Sequence, residues 1–547
     1  MSLVSNQIKI NVGVLIPNET VDTWIYNIID RLSQNASINL TLIKWNFEED
    51  YIRPNGSKNL IIRLHERIDA ALYSGRFCYN QKKNLNGLIN GGTSGSLLDW
   101  NRINKEGKEP AQKSDFEVII DFVNIRNAEK VSEASTFGIL SFIPINSNVE
   151  GGNYTAYNEI LIRNPEIATQ VVIRHGSRPA QVINNSSVSL FSNSIHINRD
   201  RIYSLSALLL PRIIEGIRLN GTSYIESLKS KSDGKPYLNA EMLLPPSTAK
   251  SLLNLLKIIY SSVAKRFFYK EVGRWHLLYD DNSRLPYPAM FQNFRELKAP
   301  KGRFWADPFV INHKSNTYIF VEEFIYSTGK GHISLLSRNK NGVFSSSVPV
   351  LEKPYHLSFP FVFSYGGEFY MVPESRAVSS IQLYRADPFP ESWRYVKDLI
   401  NNIEATDSTL FNYNGKWWLF TSKVELQCKE LVHTELFLYY ADDLFADAWI
   451  SHPSNPIVSD ISKSRAAGRI FEYEGSLIRP SQDCTGGYGK AINFNEITIL
   501  STHEYQERLL TRINPDWDKR LSGMHTFSHD GNFCVIDVYT PRVKFFK

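Results

Sequence analysis

The sequence predicts a multidomain chain: an α/β doubly wound domain at residues 8–218, a helical connector at 219–272 and a five-bladed β-propeller at 273–547. Three observations predict it. Short apolar runs alternate with helical patterns in the first region, as in a parallel, doubly wound sheet. After residue 302 one hairpin pattern recurs five times, as four-stranded blades do. At 547 residues the chain also exceeds a single hydrophobic core, since domains average roughly 150 residues.

In the first region, residues 8–16 (IKINVGVLI) read as a buried strand, followed by a helix at 23–32. Further strands fall at 38–43, 118–123 (VIIDFV), 139–143 and 170–174, with helices at 128–134 and 202–217. The connector holds the polar turn SKSDGKP at 230–236. It continues into Pro245-Pro246-Ser247, where Ser247 is placed to cap a helix over residues 247–270. The apolar stripe of that helix is Leu252, Leu255, Ile259, Val263 and Phe267, flanked by Lys257, Lys265 and Arg266. Such a helix can make peripheral contact with an anionic membrane. Packing one domain onto another is the commoner use of an amphipathic helix, and is the expectation here.

The propeller repeat is an apolar strand, a tight turn built on aromatic-x-Gly, and a second strand rich in aromatics. Its copies lie at 309–320, 361–371 (FVFSYGGEFYM), 409–420 (TLFNYNGKWWLF), 470–479 (IFEYEGSLIR) and 526–535 (TFSHDGNFCV). Gly367, Gly415, Gly475 and Gly531 sit where a hairpin turn requires positive φ, and the first copy has Asn316 in that place. The copies are spaced at about 50 residues, the range for four-stranded blades. The chain after Val538 is too short to complete the last blade, so residues 275–279 (WHLLY) are expected to supply the missing strand and pair an otherwise open edge.

A hairpin places the start of its first strand and the end of its second at one edge. Applied to every blade, this gathers Asp307 with Glu322 and Glu323, Pro360 with Glu374 and Arg376, Asp407, Arg469 with Asp483, and His525 with Asp537 around one mouth of the channel. Carboxylates so collected repel unless paired or used. Used, two or three of them do acid/base or nucleophilic work on a glycosidic bond. Unused, they tie down backbone amides or pair with arginines. Convergence of polar groups in a cleft favours a ligand-binding mouth. The candidate catalytic residues are Asp307, Glu374, Asp407 and Asp483; Glu323, His356, Arg376, Arg469 and His525 are candidates for binding substrate.

Composition excludes other classes. A net charge of +5 is small for this length and supplies no basic stripe for nucleic acid. Cys78, Cys428, Cys484 and Cys534 lack metal-type spacing and suit a reducing compartment, and no apolar run spans a bilayer, so a cytoplasmic location is expected. The 12% aromatic content suits β-structure and sugar-stacking surfaces alike.

The run ADPF…FVEE…HLSFPFVF…YMVPES…WWLF…RAAG…RPSQD…YG closely resembles the amino-terminal propeller domain of plant glucosamine inositolphosphorylceramide transferases and their bacterial relatives, over about residues 273–542. More distantly it looks like the five-bladed propellers of family-43 glycoside hydrolases. That likeness implies Asp307 as the base and Asp407 as a residue tuning proton affinity; Glu374, the available acid, lies in an earlier blade than that pattern has it. Residues 8–218 are similar to the amino-terminal domain of formyltransferases, through the opening strand, VIIDFV, and the segment from Gly138 through Gly151-Gly152 to Val172. That family's Asn, His and Asp correspond to Ser141, Ile143 and Arg178, with Asn146 or His175 as possible replacements. The fold without formyl transfer is expected, because isoleucine cannot shuttle a proton.

These readings converge on a carbohydrate-active protein of surface-polysaccharide or glycolipid biosynthesis, acting on a glycan, nucleotide sugar or glycolipid. The propeller calls for no cofactor; a nucleotide sugar or formyl-tetrahydrofolate fits the α/β domain. The alternatives are a non-catalytic sugar-binding module and a sugar N-formyltransferase with a rearranged site.

Overall fold

The computed structural model describes residues 9–45, 59–90, 95–99, 116–123, 125, 129–144, 154–231, 247–267, 269–283, 288–423 and 435–545. Asn146, Gly151-Gly152, Pro245-Pro246, Cys428 and most of the 230–236 turn lie outside them. The chain divides into two compact units, Met1–Ile259 and Tyr260–Lys547.

The first unit is built on a seven-stranded sheet: β1 (Ile10–Ile16), β2 (Ile38–Lys44), β3 (Gly95–Asp99), β4 (Val118–Asp121), β5 (Ile139–Pro144), β6 (Glu166–Arg174) and β7 (Gln181–Ser189). The spatial order is β3-β2-β1-β4-β5-β6-β7. Along the spatial order, β3 to β5 pair in parallel, and β1 and β4 are buried at nearly every position, as central strands of such a sheet are. The sheet is mixed, which corrects the all-parallel expectation: β6 and β7 pair antiparallel. The 175–180 link joining them is too short for a parallel crossover, which takes about a dozen residues or more. The helix expected at 202–217 runs from Ile195 to Lys231, past the expected boundary at 218, with a break at Gly221. Of the helix expected at 128–134, the described residues form a short one, Glu129–Ser132.

The connector helix is Thr248–Phe267. Ser247 caps it as expected, its Oγ accepting from the Lys250 amide at 3.3 Å. The expected stripe is split by the fold. Ser251, Leu255 and Ile258 are buried, whereas Leu252 is exposed.

The second unit consists of five antiparallel blades. In blade four the innermost strand is broken into Arg465–Ala466 and Phe471–Tyr473. Tyr269–Asp280 closes the last blade, pairing along its whole length with Phe533–Phe545 as expected. Apolar side chains fill the space between successive blades. The ring shuts where Leu277, Tyr279 and Val535 of the closing blade meet Trp305, Val310 and Ile319 of blade one. Gly367, Gly415, Gly475 and Gly531 all take positive φ. In the first copy the turn residues are Lys314 and Ser315, and Asn316 opens the next strand. Ser315, one place earlier than expected, is the counterpart of those glycines.

Candidate functional site

The inner strand of four blades carries a bulge at one level, between Ala306 and Phe309, Ser358 and Phe361, Thr406 and Thr409, and Met524 and Phe527. The extra residues re-aim side chains. Asp307, Phe359, Asp407 and His525 therefore occupy equivalent positions. The first three hold φ of 49°, 43° and 50°, which only a well-determined surrounding retains in a non-glycine residue. A second ring follows on the neighbouring strands, where Glu322, Glu374 and Ser422 share a register opposite Ala306, Ser358 and Thr406.

These rings meet in a buried polar cluster. Asp537 anchors the last bulge by accepting from the His525 and Thr526 amides at 3.1 and 2.8 Å, and it also accepts from the Asp307 amide at 2.9 Å. His525 Nδ1 lies 2.5 Å from Asp537, and its Nε2 lies 3.7 Å from Asp307. Asp307 accepts from Thr526 Oγ1 at 2.9 Å and from the Phe359 amide at 3.2 Å. Across the channel Asp407 is ion-paired with Arg465 and accepts from Gln482 at 3.1 Å, while its own amide donates to Glu374 at 3.3 Å. Arg465 also approaches Glu374 to 3.9 Å. Glu322 is faced by His356 at 3.4 Å. His356 Nδ1 accepts from the Gly331 amide at 2.9 Å, so a neutral ring turns its protonated nitrogen to that carboxyl.

Counting charges shows what the cluster does. Asp407 has Arg465 and Asp537 has His525 as dedicated partners. Among the described residues, Asp307, Glu322 and Glu374 have no cation of their own. Burial, foremost, and the neighbouring acids raise the proton affinity of Glu322 and Glu374 far above the carboxylate range. Asp307 is pushed up to about 6, by burial and by Asp407 and Asp537, against the pull of His525. Burial works against a charged His525, but Asp537 and Asp307 outweigh it and hold the imidazolium. The site therefore combines protonated carboxyls with charged ones, which is the separation general acid/base work requires. Asp307, His525 and Asp537 also place one donor atom each within 4.8 Å of one another, the metal-type cluster among the described residues. The imidazolium already does there what a cation would do.

An aromatic lip borders the cluster. Trp275, from the closing strand, stacks on His525 at 3.9 Å, and Tyr488 meets that ring edge-on at 5.1 Å. The Arg465 guanidinium lies 4.6 Å from the Tyr488 ring. Gly489 (φ +60°) makes this close approach possible, because a Cβ there would stand 3.0 Å from both His525 Cβ and Trp275 Cη2.

The structure brings Asp307, Glu374, Asp407, His525 and, at the rim, His356 together. Four other candidates lie elsewhere. Glu323 points to the opposite face from Glu322, where Arg303, Trp305, Ser334 and Ser347 donate to it. Those hydrogen bonds, with His332 Nε2 3.4 Å away, hold its carboxyl well below the usual range despite burial. Asp483 turns away because Gln482 takes the channel-facing place; it accepts from Thr485 at 2.6 Å and pairs with Arg512 at 3.0 Å. Arg376 pairs with Glu404 on the surface. Arg469 donates to the Val362 carbonyl, beyond the bulges on the hairpin side. Arg465, Gln482, Trp275 and Tyr488 were missed as site residues. RAAG, RPSQD and YG stood out in the sequence, but nothing local shows which of their residues turns inward.

In the first unit, Ser141 is buried and accepts from Arg174 at 2.9 Å, and Arg174 lies 3.4 Å from the buried Asp121. His175 and Arg178 are exposed.

Fold and site define a class: a five-bladed propeller whose channel mouth is acidic, buried and lipped by aromatic rings. Residues 288–522 match the family model described as glucosamine inositolphosphorylceramide transferase 1, N-terminal. The chain is 38% identical over 207 residues to glucosamine inositolphosphorylceramide transferase 1 of Oryza sativa subsp. japonica. It is 36% identical over 208 residues to that of Arabidopsis thaliana. Each match covers 37% of this chain and spans only 27% of the relative's length. Among solved structures, Zg3597, a family 117 glycoside hydrolase from Zobellia galactanivorans, aligns at 11% identity and a TM-score of 0.33, over 49% of this chain and 90% of that one. The catalytic domain of the Coprinopsis cinerea GH62 α-L-arabinofuranosidase aligns at 11% identity and a TM-score of 0.33, over 43% and 90%.

Proposed function

We propose that this chain is a carbohydrate-active protein of surface-polysaccharide or glycolipid assembly, and that its propeller mouth binds a glycosyl residue and catalyses its transfer or hydrolysis. One observation carries the reading: Asp307, Glu322 and Glu374 are buried together without dedicated cations, beside an aspartate fixed by arginine and beneath an aromatic lip. In this reading Glu374, held protonated, gives its proton to a leaving oxygen. Asp307, charged above about pH 6, takes one from water or an acceptor hydroxyl. Asp407, fixed by Arg465 and Gln482, keeps a negative charge beside Glu374 and so helps to keep that proton in place. Trp275 and Tyr488 offer faces on which a sugar ring can stack. The similarity to glucosamine inositolphosphorylceramide transferases supports a glycolipid substrate.

A panel of nucleotide sugars and glycans, assayed for binding and turnover with the wild-type chain, Glu374→Gln and Asp307→Asn, tests this. Glu374→Gln is expected to bind and not turn over. Turnover retained by both variants would place the chemistry elsewhere. Binding without turnover by the wild type would select the second reading, a sugar-binding module. That reading is favoured by the internal hydrogen bonds at both Asp307 oxygens.

For the first unit we propose formyltransferase-type architecture without that chemistry. Its support is the wound order β3-β2-β1-β4, the commitment of Ser141 to Arg174 and the apolar Ile143. Formyl-tetrahydrofolate binding, measured calorimetrically, checks it, and retention of formyl transfer would refute it. We propose a reducing, cytoplasmic location, which the buried thiols of Cys484 and Cys534 support.

A further inference from the structure

The Thr248–Phe267 helix is apolar on two sides. One side, Ser251, Leu255 and Ile258, is buried. On the other, Leu252 is 44% exposed, Leu253 59%, Leu256 55% and Tyr260 77%. At helical spacing these four fall within an arc of about 100°, and the exposed Lys250 and Lys257 lie along its border. Scattered exposed leucines need no explanation, but four large apolar side chains aligned over two turns do. Charge points to the occupant. The helix sequence TAKSLLNLLKIIYSSVAKRF has no acidic residue and four basic ones, Lys250, Lys257, Lys265 and Arg266. A protein partner of ordinary surface would be met by charges of both signs, whereas a surface of uniform negative charge suits a helix with basic residues alone.

We propose that this helix docks the chain on an anionic lipid bilayer, with Leu252, Leu253, Leu256 and Tyr260 entering the interface and the lysines meeting lipid headgroups. The contact proposed is peripheral; no helix among the described residues is long and apolar enough to cross a membrane. It stands independently of the chemistry assigned to the propeller channel.

The test is flotation of the full chain with phosphatidylcholine vesicles, with and without phosphatidylserine. Binding is expected to the anionic vesicles, to weaken with added salt, and to fall by about tenfold or more in Leu253→Glu/Leu256→Glu. Lys250→Glu/Lys257→Glu is expected to weaken binding and flatten its salt dependence. Both faces substituted here are exposed, so the melting transition is expected to stay within a degree or two of wild type. Failure of the wild type to float with anionic vesicles overturns the proposal. So does equal binding to phosphatidylcholine alone, or undiminished binding by the leucine variant. Loss of the melting transition in the leucine variant would show that the chain itself covers this face, and overturns it as well.

Discussion

Asp307→Asn is expected to stabilise the propeller at neutral pH while removing its activity. Burial and neighbouring acids move the Asp307 carboxyl from an ordinary 3.8 to about 6 in the folded chain. The folded state therefore holds this proton more tightly than the unfolded one. The stability it contributes is fully present below about pH 4 and is lost as pH rises through about 6. The difference corresponds to about 3 kcal/mol, an upper bound for what the ionised carboxylate costs at pH 8. Asparagine keeps the geometry: its carbonyl can accept from the Phe359 amide, and its Nδ2 can donate to Thr526 Oγ1, the two partners of the native carboxylate. The variant is expected to match wild type near pH 4 and to gain up to about 3 kcal/mol at pH 8, a rise in the propeller's melting temperature on the order of 5–10 °C. Calorimetric scans of the full chain at both pH values, with the propeller's transition followed by near-ultraviolet circular dichroism, measure it. Equal destabilisation at both pH values would refute the reasoning. It would make Asp307 a structural tie for the bulges and not a charge held against its preference for a functional end.

Arg465→Ala removes the partner of the buried Asp407 and is expected to destabilise the propeller by about 3–5 kcal/mol, read from the denaturant midpoint. Gly489→Ala forces a side chain into left-handed backbone against Trp275 and His525. A loss of about 1–2 kcal/mol and a shifted tryptophan emission are expected. Trp275→Ala is expected to weaken binding of whichever glycan the wild type retains by about tenfold, measured by titration calorimetry. An unchanged affinity would remove the aromatic lip from the binding surface.

Much of the fold was legible because its signals are local. The hairpin glycines require positive φ wherever they fall, and the apolar runs of β1, β2, β4 and β5 announce buried strands. The apolar segment at 275–279 reads as a strand ahead of the first blade, and it does pair with the strand of the last. The site was half legible. Asp307 and Asp407 sit at the start of the inner strand in their blades, and Glu374 ends a second strand, so hairpin geometry alone brings them to one edge. The alternation of a strand would separate Glu322 from Glu323 and Gln482 from Asp483, but only relative to a known inward residue. The bulges break that parity at the point where it is needed.

By itself, then, the sequence determined that blades form, how many there are, and that acids collect at one mouth, since each follows from turn chemistry and alternation within a few tens of residues. Only the tertiary structure decided the protonation of those acids. That depends on Arg465 reaching Asp407 and on Asp537 holding both His525 and the amide of Asp307, 230 residues away. Closing the ring brings those groups together and removes water from around them. Desolvation and charge at short range then fix which carboxyl keeps its proton, a property of the assembled channel that no single blade possesses.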